Sequence, residues 1–265
     1  MYPFTYHQPD SVRQAASVAG KAEDAKFLAG GMTLLPTMKQ RLASPANLID
    51  LGKLDELRGI EVKGRSVVIG AMTRHFDVAN SKELREAIPA LADLAGMIGD
   101  PAVRNRGTIG GSLANNDPAA DYPAAALALG ATITTNKRKI EADDYFTGLF
   151  ETALEEGEII TKVSFPIPAK AGYEKFRNPA SRYAIVGVFV AKKGSDVRVA
   201  VTGAGDTGVF RATKIEAALT AKFSSKSLEG VKMPAEGLNS DIHADAEYRA
   251  HLITVMAKRA TDKAK

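Results

Sequence analysis

The stretch from Gly107 to Pro123, GTIGGSLANNDPAADYP, constrains the fold more than any other part of the chain. It sets a glycine pair, Gly110 and Gly111, between Thr108 and Ser112, then adds Asn115, Asn116, Asp117 and Asp121. Little in it suits a regular helix or strand, so it reads as a polar connection built of tight turns. Without a Cβ, the glycines let the backbone take positive φ and let an anion approach the amides. Thr108, Ser112, Asn115 and Asn116 supply short donors and acceptors for neighbouring backbone or for a ligand. Asp121 offers a carboxylate to a ribose hydroxyl or an amide, or a cap to the helix expected from Pro123.

A second stretch of the same character is FLAGGMTLLPTMK, Phe27 to Lys39. Ala29, Gly30, Gly31, Met32, Thr33, Leu34 and Leu35 read as the turn between a strand, Ala25 to Ala29, and a helix from about Thr33 to Arg41. With Asn47 to Leu51 as a further strand, this makes a small βαβ unit. The free N–H groups at the helix start face the loop, where dipole and amides together favour an anion. Thr33 serves there as a helix cap or as a ligand hydroxyl. Two bare-backbone loops closing on one diphosphate form a nucleotide cradle, a reading that requires them to meet in space.

The remaining pattern is α+β. Ser11 to Gly20 reads as a helix. Gly59 to Lys63 and Ser66 to Ala71 read as a hairpin, and Thr73 as the cap of a helix through Asn80. Ser81 to Leu94 is helical with a break at Pro89, and Pro123 to Leu129 is a short apolar helix. Ala131 to Asn136 and Arg138 to Glu141 form another hairpin, and Glu158 to Ile167 a strand. Toward the C-terminus, Tyr173 to Arg177, Tyr183 to Lys192 and Asp196 to Gly203 suggest an antiparallel sheet. A helix over Thr213 to Ala221, capped by Thr213, a loop over Phe223 to Ser240 and a helix over Ala246 to Lys263 complete it. The divisions expected are 1–56, 57–168 and 169–265. GAGDTG, Gly203 to Gly208, matches a dinucleotide fingerprint in letters, but no helix opens directly after it and no parallel strand follows. It reads as a hairpin or loop, leaving an NAD-binding protein as a lesser alternative.

Composition removes several function classes. The 265 residues include no Cys, so disulfides, thiolate nucleophiles and Cys-ligated iron–sulfur clusters are excluded from this chain. The four imidazoles, His7, His75, His243 and His251, lack metal-ligand spacing, and His75 reads as an ordinary packed or surface residue. No nucleophile elbow, HExxH, Walker loop or carboxylate pair is present. The net charge of +4 comes from scattered basic residues, with TNKRK and the terminal KRATDKAK as the only clusters. That argues against nucleic acid and for a solvated surface meeting an acidic partner. No apolar run is long enough for a transmembrane segment and no secretory signal is visible, so the expected location is cytoplasmic.

AGGMTLLPTMKQRLASPANLIDL, IGAMTRH and VRNRGTIGGSLANNDPAADYPAAALALGA, in that order, resemble the flavin subunit of molybdenum hydroxylases. The branch most similar is the medium subunit of aerobic carbon monoxide dehydrogenases, a module that is also a middle domain of xanthine dehydrogenases. The likeness covers nearly the whole chain and is strongest from Tyr2 to about Ala131. It implies an FAD-binding fold of the PCMH or vanillyl-alcohol-oxidase type with a C-terminal domain. It implies FAD in this chain, molybdopterin in a large partner and 2Fe–2S clusters in a small partner. The complex would be a dimer of heterotrimers, with peripheral membrane association only through the complex.

By the same resemblance, Ala29 to Leu35 hold the pyrophosphate. Thr108, Ile109, Gly110, Gly111 and Ser112 form the second cofactor segment, beside flavin and pyrophosphate. Asn115 and Asp121 lie near the ribityl and ribose, Ile160 over the adenine and Lys175 near the flavin, and Tyr183 covers the flavin ring. The expected function is electron transfer from partner clusters through FAD to an external acceptor, with no catalytic side-chain acid or base. Amides facing the flavin pyrimidine would stabilise its reduced, anionic form. Two alternatives remain. A stand-alone flavin oxidoreductase would need a base beside the flavin, and none is visible. A flavin-free assembly module would not need intact glycine loops.

Overall fold

A computed structural model describes all 265 residues. The chain begins with β1 (Thr5–His7), α1 (Val12–Ala19), β2 (Ala25–Leu28), α2 (Leu34–Lys39) and β3 (Asn47–Asp50). β3 is central and runs parallel to both β1 and β2, so the expected βαβ unit gains a third strand from the start of the chain. Ser11 caps α1 by accepting from the Gln14 amide, and Gly20 ends it. Ala15, Ile49, Leu51, Leu54 and Leu57 pack into a small core of their own.

A five-stranded antiparallel sheet follows. It begins with β4 (Ile60–Lys63) and β5 (Ser66–Gly70), after which the chain leaves for a run of helices. These are α3 (His75–Asn80), α4 (Lys82–Ala87), α5 (Pro89–Gly96), α6 (Pro101–Arg106), α7 (Ile109–Asn115) and α8 (Tyr122–Leu129). The chain then returns as β6 (Thr132–Thr135), β7 (Lys139–Glu141), α9 (Ala142–Tyr145), a small hairpin of β8 (Phe146–Gly148) and β9 (Glu151–Thr152), and β10 (Ile160–Pro166). The sheet order is β4-β5-β10-β6-β7. Thr73 does not cap α3: its hydroxyl bridges the amide and carbonyl of Gly59, and Arg74 holds the N-cap position. Pro89 opens α5 as its first residue, where its missing N–H is harmless.

The central glycine stretch departs from expectation, because Ile109 to Asn115 is a helix. Thr108 caps it by accepting from the Gly111 amide, and Asn116 ends it in the left-handed conformation at φ 43°. Buried Ile109 and Leu113 anchor it in the core, so tertiary contacts override the weak propensity of a glycine pair. α8 carries no polar face, and every residue from Tyr122 to Leu129 is buried. It lies between the five-stranded sheet and the next sheet, which explains why a helix apolar on all sides is stable here.

The C-terminal part contains β11 (Lys170–Arg177), β12 (Ala184–Lys193), β13 (Asp196–Thr202), β14 (Phe210–Arg211), α10 (Thr213–Ala221) and α11 (Ala246–Lys263). The strands form an antiparallel sheet in sequence order. Thr213 makes no cap bond, and Ala212 is the N-cap residue of α10. The loop over Phe223 to Ser240 contains one 3-10 turn, Ser225–Leu228. One face of this sheet is covered by α10 and α11, with Val188, Val199, Leu219, Ile253 and Met256 between them. Its other face supplies Tyr173, Phe189 and Ala200 to the 34-residue main core, so that core runs across the 168/169 division.

Candidate cofactor site

The two glycine loops touch. A Cβ built on Gly30 would fall on the Arg106 carbonyl and come within 2.7 Å of the Gly107 Cα. A Cβ on Gly111 would lie 3.2 Å from that of Ala29. Gly110 is pressed against Ala71, 2.6 Å from its Cβ and 2.7 Å from its carbonyl oxygen. The glycines therefore let three chain segments close on one another, a task beyond the ligand access inferred from sequence. Gly31 has φ +74°, a region that strains any other residue.

The two loops differ in what they offer. Leu35 donates to the Gly31 carbonyl at 3.2 Å, but the amides from Ala29 through Leu34 have no acceptor in the protein. Thr33, at the N-cap position, makes no capping bond either, so its hydroxyl is available. At the second loop the amides of Ile109 and Gly110 are taken by the Thr73 and Ala71 carbonyls, and those of Gly111 and Ser112 by Thr108. Among Gly107 to Ser112 only the Thr108 amide lacks an acceptor. The first loop is the donor nest, and the second is a rigid wall against it. Such a run of unclaimed amides, half exposed before a helix, is the chemistry a diphosphate requires.

Asp121 and Lys175, expected separately on the cofactor, are each other's partners. Lys175 Nζ lies 2.9 Å from one Asp121 carboxylate oxygen and 3.0 Å from the other, and the Tyr173 hydroxyl donates to the same group. Both side chains are buried, and Asp121 makes no helix cap. Burial pushes the Asp121 carboxyl up, while Lys175 and Tyr173 pull it down. Tyr183 is not core: it stands just before β12, 47% exposed. Burial of its ring raises its pKa, as do Asp117 and Asp121 nearby. Ser112 and Asn115 are half-buried on α7. Ile160 sits at a β-bulge with its side chain in the main core, so only its backbone is left to face a ligand.

Asn116 and His75 carry more structure than their sequence context indicated. Asn116 donates to the Gly148 and Glu151 carbonyls, at 2.9 and 2.8 Å, and so holds the β8–β9 hairpin beside α7. His75 is packed beneath Gly107, its ring 5.3 Å from that of Tyr122. Burial above all, and Arg104, lower its pKa to about 4, which keeps the imidazole neutral. No local pattern announces either role, since the partners lie far away in the sequence.

A βαβ layer and an antiparallel sheet whose glycine loops converge on a donor nest define a nucleotide-cofactor-binding α+β protein. Comparison with known proteins narrows this. Residues 2–168 match the family described as FAD binding domain in molybdopterin dehydrogenase. Residues 171–264 match the CO dehydrogenase flavoprotein C-terminal domain. The chain is 37% identical to the carbon monoxide dehydrogenase medium chain of Hydrogenophaga pseudoflava, over 98% of this chain and 96% of that one. Among solved structures, reconstituted CO dehydrogenase from Oligotropha carboxidovorans superposes with a TM-score of 0.88 at 34% identity, covering 99% of this chain and 98% of the other. Quinoline 2-oxidoreductase from Pseudomonas putida gives 0.87 at 30% identity, covering 99% and 96%. The chain belongs to the FAD-binding family of molybdopterin dehydrogenases, in the form that carries the CO dehydrogenase flavoprotein C-terminal domain.

Proposed function

We propose that this chain holds FAD at the junction of its two glycine loops and carries electrons from a partner's iron–sulfur clusters to an external acceptor, as the flavin subunit of a molybdenum hydroxylase complex. The observation that carries this reading is the row of unclaimed amides from Ala29 to Leu34, walled by Gly107 to Ser112. These amides and the Thr33 hydroxyl bind the diphosphate. Ile109, Gly110, Gly111 and Ser112 keep the opposite wall in place, and Thr108 adds one further amide. Tyr183 covers the ring system, and Asn115 faces the sugar chain. Asp121 and Lys175 act as a fixed ion pair at its edge. Bound FAD supplies a centre that takes electrons singly and passes them on in pairs. This chain's residues bind, orient and shield it, and no side chain is assigned as acid or base.

The partners in this reading are a large molybdopterin-binding subunit and a small 2Fe–2S subunit, since the relatives named above are subunits of such enzymes. No helix is long and apolar enough to cross a membrane. The reading includes a cytoplasmic location, which cell fractionation tests. For the cofactor, the purified chain should show a flavin absorption spectrum, and the released nucleotide should have the mass of FAD. FAD should bind far more tightly than FMN, which lacks the diphosphate bridge. A chain that stays colourless and takes up no added FAD contradicts the proposal.

A further inference from the structure

Apart from Arg198, which pairs with Asp143, the buried polar ties from the C-terminal sheet to the cofactor side gather on Asp117 to Asp121, the segment joining α7 to α8. Thr202, the fully buried last residue of β13, sets its hydroxyl 3.0 Å from the Pro118 carbonyl and 2.6 Å from that of Ala120. The next residue, Gly203, donates its amide to the same Pro118 carbonyl at 2.8 Å. Gly203 has φ +82°, and a Cβ there would strike the Ala184 carbonyl, so only glycine fits. Lys175 and Tyr173 hold the far end of the segment through Asp121.

Behind this contact stands Arg249 of α11, 3% exposed. Its guanidinium donates to the Gly203 carbonyl at 2.9 Å and the Ile185 carbonyl at 2.6 Å, and Asp241 neutralises it at 2.7 Å. The first glycine of GAGDTG is therefore gripped on both sides, by the last helix and by the cofactor-side segment. Asp117, Pro118 and Ala119 line a cavity of about 340 Å³ together with Tyr183, Gly203 and Arg249. The latch and the tyrosine proposed to cover the flavin thus share one wall.

We infer that Thr202 and Gly203 are positioning residues for the cofactor: they fix the Asp117–Asp121 backbone in the geometry FAD binding requires, without touching FAD. The inference rests on the FAD reading given above. It assigns the G-x-G-x-x-G stretch a role that is neither nucleotide binding nor simple chain reversal. Removing the Thr202 hydroxyl takes one shared donor from two part-buried carbonyls, of which that of Pro118 keeps the Gly203 amide, and frees the Ala120 end of the segment to shift.

The test uses the full chain. Thr202→Val should hold FAD about tenfold more weakly, the size expected for one buried hydrogen bond lost. Thr202→Ser, which restores the hydroxyl, should bind as wild type. In the wild-type protein, FAD addition should slow hydrogen exchange at the Gly203 amide, which is bonded across to Pro118. A purely structural threonine would leave Gly203 slowed no more than a core amide such as that of Ile253, because bound FAD slows exchange through global opening everywhere, and this second measurement needs no variant. Wild-type affinity in folded Thr202→Val, or Gly203 exchange slowed no more than that of Ile253, overturns the inference. A wild-type chain that takes up no FAD overturns the cofactor reading itself.

Discussion

At the scale of single residues, Gly30 and His75 show how backbone and burial set function and pH response. Gly30 has no room for a methyl because the Arg106 carbonyl already occupies that place. Gly30→Ala should part the two loops and weaken FAD binding more than tenfold in a fluorescence titration. Gly64, at φ +59° with nothing within 4 Å of a built Cβ, is the matched comparison. Gly64→Ala should cost about 1 kcal/mol of stability through backbone strain alone and leave FAD binding intact. His75 titrates near 6.5 when unfolded but at about 4 when folded. Between those values the unfolded chain takes up a proton that the folded chain refuses. Stability is therefore complete above about pH 6.5 and falls as pH drops toward 4. Urea unfolding at pH 7.5 and 4.5 should differ by about 2–3 kcal/mol from this group. His75→Gln should lose that share of the difference, and an undiminished pH effect in the variant contradicts it.

At the scale of elements, α7 is the instructive case. Its sequence, IGGSLAN, carries two residues that each disfavour a helix by about 1 kcal/mol. Three supports offset this: the Thr108 cap, the Gly110 amide bonded to the Ala71 carbonyl at 2.8 Å, and burial of Ile109 and Leu113. Thr108→Ala should lower stability by about 1 kcal/mol and Thr108→Ser by much less, read as shifts in the urea midpoint. The strands and long helices were legible because their apolar spacing is local. α11 spans Ala246–Lys263, and the hairpin turns at Gly64 and in Asn136–Arg138 fall where their residues indicate. Of the capping roles expected of Thr73, Thr33 and Thr213, the first and last failed because Arg74 and Ala212 hold the N-cap positions, and a hydroxyl at the N-cap bonds only when its backbone enters the helix in extended geometry. Thr33 holds the N-cap of α2 but has ψ −52°.

At the scale of the whole molecule, the Lys175–Asp121 pair joins the C-terminal sheet to the cofactor side through the buried interior. Lys175→Met should destabilise the protein by about 3–5 kcal/mol because it leaves a carboxylate buried without its counter-ion. Adding Asp121→Leu should recover most of that loss in urea unfolding while FAD binding stays impaired. Full additivity of the two substitutions would show that the groups do not act as a pair. The same continuity appears in the apolar core, which receives Tyr173 and Phe189 from the C-terminal sheet. The cofactor side and the C-terminal part are thus coupled at their shared wall.

The sequence by itself determined the α+β class, most of the order of strands and helices outside α6, α7, the β8–β9 hairpin and β14, both glycine stretches and the likeness to a flavin-binding family. Each of these depends on residues close together in the chain: apolar period, turn glycines and motif letters. Only the tertiary structure decided which loop keeps its amides free, because α7 spends its own on Ala71, Thr73 and Thr108. It alone paired Asp121 with Lys175, exposed Tyr183 and turned Ile160 inward. The physical reason is one of range. Propensity and patterning act over a few residues, whereas hydrogen-bond satisfaction and burial are settled by partners that meet only when distant segments pack.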